Sequence, residues 1–311
     1  MKLPKKIKIK EVGSRDGFQM EKTFVPTQEK IKIIDKLSGC GLQEIQYTSF
    51  VHPKAVPNMS DAVEVTNLIT RNPRVLYSAL VPNRRGYERA AEMGVAQVEF
   101  TISATDSHSM SNLNTTTEGS LKVLEECLKL GLTTKITIGI AVLFGCPFEG
   151  RPSFEHIAQI IDRLAALNID EIGLSDTIGV ADPKQVYEYA SRLLETHPEM
   201  RYSLHVHNTH GGGIANMLAA MQAGVDSIDA SIAGLGGCPF APGASGNVAT
   251  EDLVQILETM GIETGLNIDC LIETAKYTAK VVGHHDSATL RAGKMGKLHD
   301  VKSLITENNA H

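Results

Sequence analysis

Two histidines one residue apart, in the run Tyr202-Ser203-Leu204-His205-Val206-His207-Asn208, carry the densest chemical information in the chain. The run is short, alternates polar with apolar and passes into loop-forming residues, which predicts a β-strand over 201–206. Side chains alternate faces along a strand, so His205 and His207 share one face and Leu204 and Val206 the other. Two imidazoles on one face at a strand end suit a single cation; the plainer alternative is a pair of histidines bonded to neighbours in a polar pocket. Asp16, in the run Glu11-Val12-Gly13-Ser14-Arg15-Asp16-Gly17-Phe18-Gln19, would add a hard carboxylate oxygen, and Asn247 an amide oxygen. Mixed ligands of this kind leave two octahedral positions open, which favours Mg²⁺ or Mn²⁺ over a closed zinc site. A hydroxy-carboxylate or keto-carboxylate substrate could fill those positions. Arg15 is either an oxyanion-stabilising group or one half of an ion pair.

The elements that must position these groups alternate from end to end. Strands are predicted at 7–12, 44–50, 75–80, 95–101, 135–143, 170–175, 201–206 and 226–232, with helices near 27–39, 59–71, 84–93, 117–130, 154–167, 183–196, 211–223 and 249–260. The stretch 154–167 places Phe154, Ile157, Ile160, Ile161 and Leu164 three and four apart, as one buried helix face requires. Gly39, Gly94, Gly131 and Gly224 read as helix stops, Thr27 as a start, and Asp182-Pro183 as a cap followed by proline in the first turn. Strand–helix alternation implies parallel strands, and eight units fit a closed (β/α)₈ TIM barrel with additional C-terminal helices; an open doubly wound sheet is the alternative. The barrel domain is expected over 1–284, followed by a polar C-terminal extension, 285–311. In such a barrel the chemistry gathers where strands end, and the RDG, HxH, Thr48–His52, Gly145–Gly150 and Ser175–Thr177 segments all follow strands. The stretch 234–246, GLGGCPFAPGASG, holds five glycines and two prolines in 13 residues. It is read as a lid around Cys238 rather than a solvated loop.

Composition narrows the partners. The chain has 311 residues, is 42% hydrophobic and 21% charged, and carries a net charge of −6. No nucleic-acid role is expected of such an acidic chain, its basic start notwithstanding. No membrane span is expected either, because no apolar run approaches about 20 residues. Five scattered cysteines without a Cys-x-x-Cys suggest reduced thiols and a cytoplasmic location, with Cys40, Cys127 and Cys270 on helices facing apolar neighbours.

At these motifs the chain resembles the 3-hydroxy-3-methylglutaryl-CoA lyase family. The matching segments are EVGSRDGFQMEK (11–22), TSFVHPKAVPNMSD (48–61), GCPFEG (145–150), DTIGV (176–180), HVHNTHG (205–211) and AGLGGCPFAPGASGNVATEDLV (233–254). The resemblance implies metal-assisted retro-Claisen cleavage of an acyl-CoA to acetyl-CoA and a keto acid, acetoacetate for hydroxymethylglutaryl-CoA, as in leucine degradation. It implies a divalent cation on Asp16, His205, His207 and Asn247, with Asp16 or His205 as base. Arg15 would stabilise the enolate and Cys238 take part from a mobile loop. Asp176 would support the substrate region, and Glu251, one helical turn from Asn247, would orient that ligand. Gln19, Ser49 and Thr177 are expected against the substrate, Asn112 and Asn114 against CoA, and a homodimer is implied.

Three lining positions depart from the family pattern. Gln46 stands where a glutamate is usual, Gly139 where a tyrosine is, and Gly173 where a serine is. Lost hydrogen-bonding groups change what a pocket discriminates, so the expected alternatives to hydroxymethylglutaryl-CoA are citramalyl-CoA and a longer-branched 3-hydroxyglutaryl-CoA. A Claisen-condensing synthase shares RDG and HxH but usually carries a GER-type sequence before the final GN. An inactive metal-binding protein should lack one of the four ligands.

Overall fold

In a computed structural model, which describes residues 2–237 and 246–295, the predicted strands close on themselves. The strands are β1 (Lys8–Glu11), β2 (Glu44–Ser49), β3 (Leu76–Val81), β4 (Gln97–Ser103), β5 (Lys135–Ala141), β6 (Glu171–Asp176), β7 (Arg201–Val206) and β8 (Ser227–Ala230). They pair in parallel in chain order, and β1 pairs with β8 from Lys8↔Ser227 to Glu11↔Ala230. That last ladder makes a barrel and rules out the open sheet, which would leave two edges.

The helices are α1 (Thr27–Ser38), α2 (Ala62–Leu68), α3 (Arg84–Glu92), α4 (Asp106–Leu113), α5 (Thr117–Lys129), α6 (Phe154–Ala166), α7 (Pro183–Thr196), α8 (Gly213–Ala223), α9 (Thr250–Thr259), α10 (Ile268–Val282) and α11 (Ala288–Ala292). Their starts follow the sequence signals. Asp182 accepts a hydrogen bond from Gln185 N at 3.0 Å ahead of Pro183, and Ser153 caps α6 by accepting from His156 N. Gly224 ends α8 at φ +117°, where a side chain would be strained. Helix α4, between β4 and α5, has no counterpart among the sequence-based helices. Its short, polar sequence DSHSMSNL gives no 3.6-residue apolar stripe.

The apolar core lies between the barrel and its helices. Along β4, Val98, Phe100 and Ile102 are fully buried and alternate with the lumen-facing Gln97, Glu99, Thr101 and Ser103. The lumen is polar where many barrels are filled by branched apolar residues. Lys10 Nζ reaches Glu99 Oε2 at 2.7 Å and Asp229 Oδ2 at 3.4 Å, while Glu44 Oε1 accepts from Ser78 Oγ and Gln97 Nε2 at 2.9 and 3.1 Å. Burial alone would drive the Lys10 proton off, but Asp229, Glu99 and Glu44 outweigh it and hold the ammonium charged.

The expectation of reduced thiols is corrected. Cys40 and Cys270, 230 residues apart, are joined by a disulfide that ties α10 to the end of α1. Cys40 follows Gly39 rather than lying on a helix. Cys127 and Cys146 are free and buried. Of the polar C-terminal stretch, the part up to 295 packs on α9, where Asp252 accepts from Ser287 Oγ, Ala288 N and Thr289 N.

Candidate metal centre and active site

The RDG residues form a single five-residue turn, Gly13–Gly17, immediately after β1. Both glycines are needed for close approach. A Cβ on Gly13 would stand 2.7 Å from Glu11 Oε1 and 2.9 Å from Ile232 N, and one on Gly17 would stand 2.8 Å from the Leu235 Cβ. The turn is thereby pressed against the segment after β8, which carries Asn247. Glu11 holds the two together. Its carboxylate accepts from Gly13 N at 2.7 Å, Ile232 N at 2.8 Å and Thr250 Oγ1 at 2.6 Å.

Asp16, His205 and His207 converge on one point. The two Nε2 atoms lie 3.3 Å apart, and Asp16 Oδ2 is 3.8 Å from that of His205 and 3.7 Å from that of His207. A point equidistant from three atoms so spaced lies about 2.1 Å from each, the bond length of Mg²⁺ or Zn²⁺ to oxygen or nitrogen. The donor set therefore fits a cation. Asn247 Nδ2 donates to Asp16 Oδ2 at 2.7 Å and to Leu235 O at 3.1 Å. The structure thus brings Asn247 to the cluster, where turning its amide end for end would offer the oxygen instead. Asp16 Oδ1 accepts from Arg15 Nη1 at 2.5 Å and Gln19 Nε2 at 3.0 Å. Burial opposes the charge on Asp16, but Arg15 and the imidazoles overcome it and hold the carboxyl far below its ordinary range.

Asp229 is a residue of the cluster that sequence reasoning missed. Its Oδ2 lies 3.3 Å from His205 Nδ1 and 3.4 Å from Lys10 Nζ. Burial lowers the basicity of His205, yet the Asp229 hydrogen bond and the Asp16 and Asp229 charges raise it overall. The signal was present in the alternation of β8, which puts Ser227, Asp229 and Ser231 on one face.

The remaining predicted site residues divide. Gln46 is fully buried and accepts from Arg15 Nε through Oε1, leaving Nε2 without a partner. Gly139 and Gly173 are paired across β5 and β6, and Ser49 is fully buried. Asp176 accepts from Val180 N and Ala181 N, both at 3.0 Å, and Thr177 Oγ1 accepts from Val142 N at 2.8 Å. Both shape the loops after β5 and β6, and their oxygens are already engaged by backbone. Asn112 and Asn114 are exposed on and just after α4. The expected orientation of Asn247 by Glu251 is corrected: Glu251 Oε2 accepts from Ala233 N at 3.2 Å, so it supports the turn after β8 instead. Cys238 lies outside the described residues.

The HMGL-like family model matches residues 6–278. The chain belongs to that family. Hydroxymethylglutaryl-CoA lyase YngG of Bacillus subtilis is 42% identical over 287 residues, spanning 91% of this chain and 95% of that protein. The mitochondrial hydroxymethylglutaryl-CoA lyase of Homo sapiens is 41% identical over 288 residues, 92% of this chain and 89% of that one. An HMG-CoA lyase from Acinetobacter baumannii, solved with coenzyme A and 3-methylmalate, aligns with a TM-score of 0.91 at 40% identity, covering 95% of this chain and 97% of its own. The carboxyl transferase domain of Rhizobium etli pyruvate carboxylase, 17% identical with a TM-score of 0.68, shares the fold alone.

Proposed function

We propose that the protein is a carbon–carbon lyase that cleaves a 3-hydroxy-3-methylglutaryl-CoA-type thioester to acetyl-CoA and a keto acid. One observation carries the reading: Asp16, His205 and His207 surround a cation-sized point with the Arg15 guanidinium beside it. Its kinship with hydroxymethylglutaryl-CoA lyases over nine-tenths of the chain supports the same chemistry.

Asp16, His205, His207 and Asn247 are the residues that would hold Mg²⁺ or Mn²⁺. When bound there, the cation would act as a Lewis acid toward the substrate's hydroxyl and lower its pKa. His205 is better suited than Asp16 to take the hydroxyl proton. Asp16 already accepts from Arg15, Gln19 and Asn247, whereas His205 is oriented by Asp229 behind it. The C2–C3 bond then breaks, leaving a carbonyl at C3 and an enolate on the thioester. Arg15 gives Nη1 to Asp16 and Nε to Gln46, so Nη2 remains to meet the enolate oxygen. Cys238 is assigned a part in catalysis, with an acid near it returning a proton to the enolate carbon. Gln19, Ser49, Asp176 and Thr177 line or frame the acyl end, and Asn112 and Asn114 meet CoA.

The active unit is taken to be a homodimer. A cytoplasmic location is supported by the CoA thioester, an intracellular carrier, since the Cys40–Cys270 bond withdraws the argument from reduced thiols. The test is to incubate the protein with hydroxymethylglutaryl-CoA and Mg²⁺ or Mn²⁺ and to quantify acetyl-CoA and acetoacetate. Stoichiometric release that EDTA abolishes and fresh cation restores is expected. Absence of acetyl-CoA from this and the related thioesters, with a folded protein that binds the cation, overturns the reading.

A further inference from the structure

Two glycines stand side by side in the barrel lumen below the site. Gly139 of β5 is in register with Gly173 of β6, which is in register with Ser203 of β7, two residues below His205 on the same face. A strand glycine weakens its strand and often marks close approach by a ligand, and here two are adjacent. Neither has a left-handed φ, so no backbone need explains them. Gly173 leaves room for a further carbon, and the surface of Gly139 is covered by one carboxylate side chain. The nearest atom to a Cβ on Gly173 would be Ser203 Oγ at 3.4 Å, and its next neighbours are backbone. The three atoms nearest a Cβ on Gly139 would all belong to the Glu99 side chain, with Oε1 at 3.0 Å.

Glu99 therefore leans across the face that a side chain at position 139 would cover. Its Oε2 is held by Lys10 Nζ at 2.7 Å, and its side chain retains 13% exposure. Among the described residues no donor meets Oε1. An anionic oxygen thus lies beside the recess left by the paired glycines, on the lumen face two residues below His205. Ser203 Oγ lies beside the recess and Thr101, in register with Gly139, borders it. Such a floor repels a carboxylate, leaves an alkyl branch with nothing to satisfy the oxygen, and matches a hydroxyl.

Resting on the lyase reading, we propose that the recess over Gly139 and Gly173, floored by Glu99, receives a hydroxyl-bearing C3 substituent larger than methyl. The chemistry is that of the parent reaction. In 3-hydroxy-3-(hydroxymethyl)glutaryl-CoA the C2–C3 bond breaks, and its electron pair passes to the thioester enolate. The C3 hydroxyl loses its proton and becomes the carbonyl of 4-hydroxy-3-oxobutanoate, while one proton returns to the enolate carbon to give acetyl-CoA.

The test compares three thioesters with methyl, ethyl or hydroxymethyl at C3, measuring kcat/KM from acetyl-CoA release for the parent, Gly173→Ser, Gly139→Ala and Glu99→Gln. The hydroxymethyl compound is expected to exceed the ethyl compound by about tenfold, the contribution of one hydrogen bond to a charged acceptor. Gly173→Ser, whose Cβ has room, should cut the hydroxymethyl-to-methyl ratio by about tenfold while melting temperature holds. Glu99→Gln should shrink the hydroxymethyl-to-ethyl ratio. If methyl is preferred and Gly173→Ser and Gly139→Ala leave the ratios unchanged, the recess falls and the lyase reading stands. If ethyl equals hydroxymethyl, the role of Glu99 is overturned. If none of the three releases acetyl-CoA, both readings are overturned.

Discussion

Asp229→Asn isolates the contribution of the charge behind His205. Asp229 Oδ2 serves both His205 Nδ1 and Lys10 Nζ, at 3.3 and 3.4 Å, while Oδ1 has no partner. An asparagine keeps the shape and one acceptor oxygen for both neighbours. Its amide takes the place of Oδ1 and has no acceptor there, which costs about 1–3 kcal/mol of stability. Lys10 keeps Glu99 at 2.7 Å, so the lumen is not left with an unpaired ammonium. The larger effect is electrostatic. A unit charge about 4 Å from a protonated imidazole contributes on the order of 4 kcal/mol at an effective dielectric constant near 20. A neutral, ligating imidazole feels only part of that, and losing such a supporting partner typically costs about 10–100-fold in metal affinity or activity. The expected outcome is a Kd for Mn²⁺ weakened by about tenfold or more, with kcat at saturating cation reduced by a similar factor. Isothermal titration gives the first, and acetyl-CoA release the second. A folded Asp229→Asn protein with both quantities within about twofold of the parent would refute the argument that Asp229 sets the basicity and orientation of His205.

Adding Mg²⁺ or Mn²⁺ should raise the melting temperature, by about 2.7 kcal/mol of stabilisation at a hundred times Kd, and His207→Ala should remove the effect. Stability should fall as pH rises from about 5 to 8. Burial pushes Glu11 and Glu251 up to about 7 despite their hydrogen bonds. Each therefore holds its proton in the folded chain where the unfolded chain has lost it, a contribution fully present below about pH 4.5 and lost through pH 7. Glu11→Gln should flatten that slope in a pH series of melting curves; an unchanged slope in both Glu11→Gln and Glu251→Gln argues against it. Reducing the Cys40–Cys270 bond should lower stability by about 5 kcal/mol, given a closed loop of more than 200 residues. Alkylation of Cys40 without reductant, read by mass spectrometry, would remove the basis for that expectation.

The barrel was legible because each strand–helix unit announces itself locally. Asp182-Pro183 starts α7, the 3.6-residue stripe on 154–166 makes α6, and Gly224 stops α8. The convergence of the candidate cation ligands was legible for a different reason: His205 and His207 share a strand face by geometry alone, and Asp16 and Asn247 follow strands that must end at the same rim. What escaped was long-range. No local signal pairs Cys40 with a residue 230 positions away, and the odd number of scattered cysteines pointed against it. Helix α4 lacks an apolar stripe because it packs little of its surface. Asp229 sat in plain alternation, yet its value depends on Lys10 arriving from β1 on the other side of the β1–β8 seam. Glu251 was one turn from Asn247, and helical spacing suggested contact; the chain bends at Ala249 and turns the carboxylate toward Ala233 instead.

That bend shows how two ends of the chain come to share one site. Asp16 and Asn247 are 231 residues apart, and the direct bond between them, Asn247 Nδ2 to Asp16 Oδ2, is too small to bring them together. The β1–β8 ladder aligns their strands only as far as Ala230. Beyond it, a fully buried carboxylate takes over. Glu11 binds the amide that opens the RDG turn, the amide that opens the turn after β8, and the hydroxyl of Thr250 at the start of α9. These donors satisfy a group whose burial would otherwise be costly, so the position tolerates only a side chain with comparable acceptors. The candidate cation ligands are then set by a residue that is not one of them. Glu11→Ala should therefore weaken cation binding more than replacement of an equally buried residue remote from both turns, although Glu11 contributes no ligand.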